Sequence, residues 1–173
     1  MKKSQFIKVF KNGFLLLAAG SLMVACKSNP KQSAAVNRAV VKSAAADMMT
    51  NIQRDVSGKG PIAWLDYFDD SPDFFMVSDG SLVFQDYDAA KAFITNTLVK
   101  TIPHIHLQFT NVRIEALTAK LASVAAGFHE ELTDPTGKIL PVNGYFTGIA
   151  HLSGNTWKLR NANWSIKPTA ASH

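Results

Sequence analysis

Histidines recur at alternate positions in one stretch of the chain. His104 and His106 are separated by one residue, and a β-strand would project both imidazoles from the same face. Pairing with the next strand would put Glu131 opposite His106 and His129 opposite Gln108. Neutral imidazoles and a carboxylate are suitable ligands for a divalent cation. His104, His106, His129 and Glu131 are therefore the candidate metal ligands.

A solvated sheet face, or a polar part of a dimer interface, explains the same pattern without a metal. A strand that is buried on one side alternates apolar and polar residues in any case. We favour this simpler interpretation and predict that the protein binds no metal and no other cofactor.

The single cysteine, Cys26, follows a short apolar run that ends in small residues. Residues 1–13 are basic and residues 14–25 are mostly apolar, which is the layout of a secretory signal peptide and too short for a membrane span. The tetrad Met23-Val24-Ala25-Cys26 resembles a bacterial lipobox, and the resemblance implies cleavage before Cys26 and lipid attachment to it. An ordinary signal peptide with an incidental cysteine is the alternative.

The predicted organisation follows from this anchor. Residues 1–25 are a signal peptide, 26–42 a lipid-anchored tether, 43–168 the folded domain and 169–173 a C-terminal tail. We therefore expect a periplasm-facing protein of the bacterial cell envelope, and Lys27 after the cysteine favours the outer membrane.

Charge is distributed unevenly along the 173 residues. Residues 1–42 carry eight basic and no acidic side chains, whereas residues 43–173 carry ten basic and thirteen acidic ones. The folded part is mildly acidic, so nucleic acid is not expected as a partner. A hydrophobic content of 47% is enough for one core, and one cysteine excludes a disulfide framework.

The periodicity of apolar residues changes at Pro103. Before it, steps of four residues predict a helix that ends at Gly58–Pro61, followed by a second helix over 62–68 and a third that Asp86 or Asp88 caps. After it, alternation predicts four long strands, with a bulge at Thr110-Asn111. The face of the first helix is predicted to contain Val36, Val40, Ala44, Met48, Ile52 and Val56.

Three motifs in this order carry a family resemblance. Residues 75–80 (FMVSDG) look like a short hairpin, 134–137 (DPTG) like a long hairpin turn, and 157–165 (WKLRNANWS) like a last strand. Together they resemble the SnoaL-like, nuclear transport factor 2-like superfamily. The resemblance implies an α+β cone, in which three helices pack on the concave face of a curved antiparallel sheet of four long strands plus a short hairpin. It also implies a homodimer.

The same resemblance suggests a catalytic position. Asp79 falls near the carboxylate base of the ketosteroid isomerases, which take a proton from carbon beside a carbonyl. The two oxyanion donors of those enzymes have no counterpart, because Arg54-Asp55-Val56 and Thr147-Gly148 stand in the comparable places. Asp79-Gly80 is also a common turn dipeptide. Binding is therefore favoured over catalysis.

Cones of this family often enclose a pocket between helices and sheet. We predict that it holds a small apolar or amphipathic molecule. An isomerase- or dehydratase-type enzyme with Asp79 as general base is the first alternative, and a dimeric assembly module with a filled cone is the second. The predicted pocket residues are Trp64, Phe68, Phe75, Asp79, Phe93, Asn161 and Asn163.

Overall fold

The computed structural model describes residues 37–168. Six strands form one curved sheet in the order β2-β1-β6-β5-β4-β3, and helices pack against it, which confirms the α+β class. The sheet is mixed rather than wholly antiparallel, because β1 runs parallel to β6. The strands are β1 Phe75–Ser78, β2 Ser81–Phe84, β3 His104–Ala116, β4 Leu121–Thr133, β5 Ile139–Ser153 and β6 Thr156–Ile166.

Helix α1 spans Arg38–Lys59 and begins where the Asn37 side chain accepts a hydrogen bond from the amide of Val40. Its start lies inside the stretch predicted as a tether, and Val41 is 5% exposed, so the folded domain begins before residue 43. The helix ends at Gly60, whose positive φ of 76° suits glycine.

The buried face of α1 corrects the prediction in its first half. Val40 is 60% exposed and Val41 is buried in its place. Steps of exactly four residues drift around a helix that has 3.6 residues per turn, so a regular four-residue series cannot stay on one face. The side chains that α1 buries are Val41, Ala45, Met48, Met49, Ile52 and Val56.

The other helical segments are shorter and less regular than α1. The predicted second helix is a 3₁₀ helix over Pro61–Asp66, with proline at its first position. Helix α2, Tyr87–Phe93, begins where the Asp86 carboxyl accepts a hydrogen bond from the amide of Ala89. It continues through a π-helical turn, Ile94–Leu98, into the short α3, Val99–Thr101.

The long strands have the predicted register. His106 pairs with Glu131 and Gln108 pairs with His129, and the ladder shifts between Thr110 and Arg113. Asn111 has a positive φ of 51° at this bulge. The extra residue explains why the apolar alternation of β3 changes parity.

The core lies between α1, the shorter helices and the concave face of the sheet. Trp164 belongs to it, with its ring 5.2 Å from that of Trp64 and 4.5 Å from that of Phe146. Its side chain therefore points into the core and not toward the outer face of the sheet. Among residues 37–168, no helix is long and apolar enough to cross a membrane. Cys26 and the predicted signal peptide lie outside the described residues.

Candidate functional site

An apolar cavity of about 200 Å³ opens between the helices and the end of the sheet. The 3₁₀ helix, α2 and the π-helical turn form one wall, the β1–β2 hairpin a second, and β3, β4 and β6 the floor. The side chains that line it are Trp64, Phe68, Met76, Ser78, Val83, Phe84, Phe93, Ile94, Leu98, Ile105, Glu130, Leu132, Trp164 and Ile166.

Glu130 is the only ionisable side chain in this lining. It lies on the core-facing side of β4, in series with the buried Ala126 and Phe128. Burial raises the pKa of its carboxyl to about 7, and it outweighs the opposite effect of the nearby His129. No group in residues 37–168 donates a hydrogen bond to it. A carboxyl with this pKa changes its protonation near neutral pH.

The rest of the wall is aromatic or aliphatic. Trp64 stacks on Phe68 with ring centroids 5.6 Å apart, and Phe84 contacts Phe93 at 5.5 Å. Phe93 is 42% exposed and Val83 43%, so both lie at the mouth. Ser78 adds a hydroxyl to the lining. Apolar walls with few polar groups are typical of small-molecule sites.

The predicted pocket residues fall into three places, the third of which is the turn that contains Asp79. Trp64, Phe68 and Phe93 line the cavity, whereas Phe75, Asn161 and Asn163 lie together in a shallow groove on the other face of the sheet. The side-chain oxygen of Asn161 accepts a hydrogen bond from the amide of Ile149 across a bulge between β5 and β6. That bulge shifts the parity of β6, which turns both asparagines outward.

Asp79 lies in the turn between β1 and β2, outside the cavity. It is exposed and has a positive φ of 47°, followed by 80° at Gly80, as a tight hairpin turn requires. Its Oδ1 accepts a hydrogen bond of 2.8 Å from the amide of Ile166. The geometry is that of a turn residue, so a general-base role for Asp79 has no support from its surroundings.

The histidine pattern produces a polar sheet face that β3 and β4 share. His129 Nε2 lies 3.8 Å from Glu131 Oε1, and His129 Nδ1 lies 2.9 Å from Asn143 Oδ1. His104 and His106 are on the neighbouring strand. Within residues 37–168, no three histidine, cysteine, aspartate or glutamate side chains are close enough to bind one ion.

A second buried carboxyl, that of Asp69, was not predicted from the sequence. It is 5% exposed, and its Oδ2 accepts a hydrogen bond of 2.7 Å from the Ser71 hydroxyl. His151 Nε2 lies 2.9 Å from Oδ1, without the alignment of a full hydrogen bond, and an Arg160 nitrogen lies 3.6 Å from Oδ2. Burial raises the pKa of Asp69, but the serine, histidine and arginine outweigh it and the net shift is downward.

Another carboxylate is paired at the end of α1. The Asp55 carboxylate accepts a hydrogen bond of 2.6 Å from the Tyr67 hydroxyl and one from Arg54. These contacts hold the pKa of Asp55 well below its usual range, while burial and Asp55 raise the pKa of Tyr67 to about 12. The pair links α1 to the end of the 3₁₀ helix and does not line the cavity.

Comparison with solved structures identifies the architecture. A nuclear transport factor 2-like superfamily protein from Salmonella enterica superposes with a TM-score of 0.64 at 13% identity, over 77% of this chain and 95% of that one. The chain has the nuclear transport factor 2-like fold. No family model and no curated protein matches the sequence.

Two further neighbours of this fold have names that denote enzymes. A putative scytalone dehydratase from Novosphingobium aromaticivorans gives a TM-score of 0.65 at 14% identity, over 78% of this chain and 89% of that one. A hexachlorocyclohexane dehydrochlorinase gives 0.60 at 15% identity, over 78% and 93%. At these identities the likeness establishes the fold alone.

The sequence alone could have identified Glu130 as an acidic residue that faces the core of this nuclear transport factor 2-like fold. Glu130 and Glu131 are consecutive in a strand, so only one of them can share the polar face with His129. The other must point toward the core, at the parity of Ala122, Val124, Ala126 and Phe128. An acidic residue at a core-facing position is the observation that indicates a site.

Proposed function

We propose that this protein is a lipid-anchored envelope protein whose cone binds one small apolar or amphipathic molecule. The observation that carries the binding role is the apolar cavity with one carboxyl in its wall. A cavity of about 150 Å³ can hold benzene, so about 200 Å³ suits a molecule with a single ring and a polar group. An assembly module with a filled cone would leave no such space.

Blocking the mouth tests this role. Val83→Trp adds an indole at the rim, and Leu117→Trp adds one at a comparably exposed position outside the lining. Native mass spectrometry of the purified full chain, titrated with benzyl alcohol, should detect a bound molecule on the wild type and on Leu117→Trp but not on Val83→Trp. Equal occupancy in all three would contradict the proposal.

The anchor is proposed on the sequence alone, from Cys26 and its lipobox-like context. Cys26→Ser should move the protein from the detergent phase to the aqueous phase in a phase-separation assay. Retention of the wild-type partition would rule out the lipid. A matched Ser28→Ala variant should partition like the wild type.

A homodimer through the outer sheet face is also part of the proposal. It is supported by exposed aromatic side chains on that face, Phe75 and Tyr145. Sedimentation should give twice the monomer mass for the wild type and the monomer mass for Tyr145→Lys, with Leu117→Lys unchanged.

Glu130 favours a second candidate function, proton transfer. A general acid or base works best when its pKa is near the working pH. The raised pKa of Glu130 meets this condition at neutral pH. The names dehydratase and dehydrochlorinase, carried by two structural neighbours, both denote eliminations, and eliminations need a base. In this role the Glu130 carboxylate would take a proton from carbon beside a carbonyl and return it to carbon.

Deuterium exchange tests that role directly. Cyclohexanone in D₂O should exchange its α-hydrogens faster with wild-type protein than with Glu130→Gln. Glu131→Gln, altered at the next residue on the opposite sheet face, should exchange like the wild type. Exchange at the buffer rate with all three proteins would reduce the function to binding.

A further inference from the structure

The cavity places a carboxyl in apolar surroundings without any partner of opposite charge. Its described lining contains no lysine, arginine or histidine, and none of the described groups donates a hydrogen bond to Glu130. An isolated carboxylate in an apolar environment is costly, and buried charges in proteins are normally paired. A ligand can therefore supply the positively charged partner that Glu130 lacks.

The walls around this carboxyl are unusually rich in aromatic rings. Five lining residues are aromatic, and they come from the 3₁₀ helix, the segment that follows it, the hairpin, α2 and β6: Trp64, Phe68, Phe84, Phe93 and Trp164. The faces of aromatic rings attract cations, and tryptophan does so most strongly. Proteins recognise quaternary ammonium ligands with aromatic cages, and a carboxylate beside the rings adds a formal negative charge to the negative potential of their faces.

We propose that the molecule held in this cavity is a small organic cation, an ammonium compound of single-ring size or less, bound between Glu130 and the aromatic walls. This inference rests on the proposed binding function and narrows it to one class of ligand. A neutral ligand would fill the space but would leave the carboxyl without a partner. A cation removes that cost and lets Glu130 ionise in the complex.

A pair of isosteric probes separates charge from shape. Choline and 3,3-dimethylbutan-1-ol have the same shape, with a quaternary nitrogen in one and a carbon in the other. Calorimetric titration of the full chain at pH 8 should give an affinity for choline at least about 10-fold higher than for the alcohol. Both molecules are small enough for a cavity of about 200 Å³.

Two variants of neighbouring glutamates provide the matched control. Glu130→Gln should weaken choline binding by about 10-fold or more and leave the alcohol within about threefold. Glu131→Gln, which removes the same charge from the opposite face of β4, should bind both probes like the wild type. Thermal unfolding of each variant verifies that it is folded before titration.

Proton release gives an independent readout. At pH 6.5 most Glu130 carboxyls are protonated in the free protein, because burial raises their pKa to about 7. Binding of choline should then release protons from Glu130. This release is measured as a dependence of the binding heat on the ionisation enthalpy of the buffer. The alcohol should release none, and Glu130→Gln should abolish the release. His129 is the neighbouring titratable group, and its side chain lies on the other face of the strand.

The outcomes distinguish this inference from the function beneath it. If the alcohol binds and choline does not, the cation is wrong and the binding role stands. If neither probe binds, the inference is wrong, and the benzyl alcohol titration decides the binding role separately. If choline binds Glu130→Gln as tightly as the wild type, the carboxylate is not the contact and the inference is overturned.

Discussion

Two carboxyls that are largely shielded from solvent, at opposite ends of the long strands, lie in different environments. Glu130 lies on β4 beside Val142 of β5 and has no hydrogen-bonding or charged partner among residues 37–168, whereas Asp69 contacts His151 at the other end of β5. The pKa of Glu130 is raised and that of Asp69 is lowered. Burial raises the pKa of both carboxyls, so the downward net shift at Asp69 comes from its polar partners.

This difference separates a group that the structure needs from one that it tolerates. The contacts of Asp69 tie the segment after the 3₁₀ helix to β5 and β6, and they stabilise the fold. Glu130 makes no such contact and opposes folding whenever it is ionised. A residue that lowers the stability of the fold and makes no stabilising contact is a candidate for a functional role. Variants at both ends test this reasoning.

Asp69→Ala should have the largest effect. It leaves His151 Nε2, which is buried, without its only short polar contact in the described chain and removes a partner of Arg160. Asp69 is a buried carboxylate with three polar partners, and removing it costs about 3 kcal/mol, so urea unfolding at pH 7 should show a loss of that size. Because the pKa of Asp69 is lowered in the folded state, its stabilisation exists above the unfolded value and is lost as the pH falls. The difference from wild type should therefore shrink below about pH 4. A constant difference would contradict ionic pairing.

Glu130→Gln should have the next largest effect, of opposite sign. The folded protein holds the carboxyl proton more tightly than the unfolded chain, so wild-type stability falls as the pH rises from about 4.5 to about 7. A shift of this size corresponds to at most about 3 kcal/mol. The variant lacks this slope and should be the more stable protein at pH 8. Urea unfolding from pH 4.5 to 8 measures it, with Glu131→Gln as control. A wild-type slope in Glu130→Gln would assign the titration to another group.

The same comparison explains what sequence could and could not predict. Strand register, the bulge at Thr110-Asn111 and the hairpin turn follow from local alternation and turn chemistry, and the structure has all three. The bulge in β6 also leaves a sign in the sequence, because the apolar residues pass from odd positions (Trp157, Leu159) to even ones (Ala162, Trp164, Ile166). The prediction that Asn161 and Asn163 line the pocket followed the family resemblance instead of this parity, and both lie on the other face. A single extra residue reverses every later side chain in a strand.

The partners of Asp69 were beyond local reasoning. Its environment depends on His151 and Arg160, which are brought to it by β5, β6 and the backbone pairing of Phe68 with Leu159. An aspartate in a run of acidic loop residues gives no local sign of burial. The burial of Glu130 can be predicted from the alternation of side chains along its strand. The burial of Asp69 is seen only in the tertiary structure.

Asp73→Ala should have the smallest effect and sharpens the role of burial. Asp73 accepts a hydrogen bond of 2.6 Å from Arg160, a shorter contact than the 3.6 Å between Arg160 and Asp69. The Asp73 side chain is 69% exposed, however, and exposed ion pairs contribute about 0.5 kcal/mol. Urea unfolding at low and high salt should show a small loss that salt removes, whereas the loss in Asp69→Ala should persist because its pair is shielded from solvent. If Asp73→Ala is as destabilising as Asp69→Ala, Arg160 rather than burial organises this end of the sheet, and the contrast with Glu130 loses its basis.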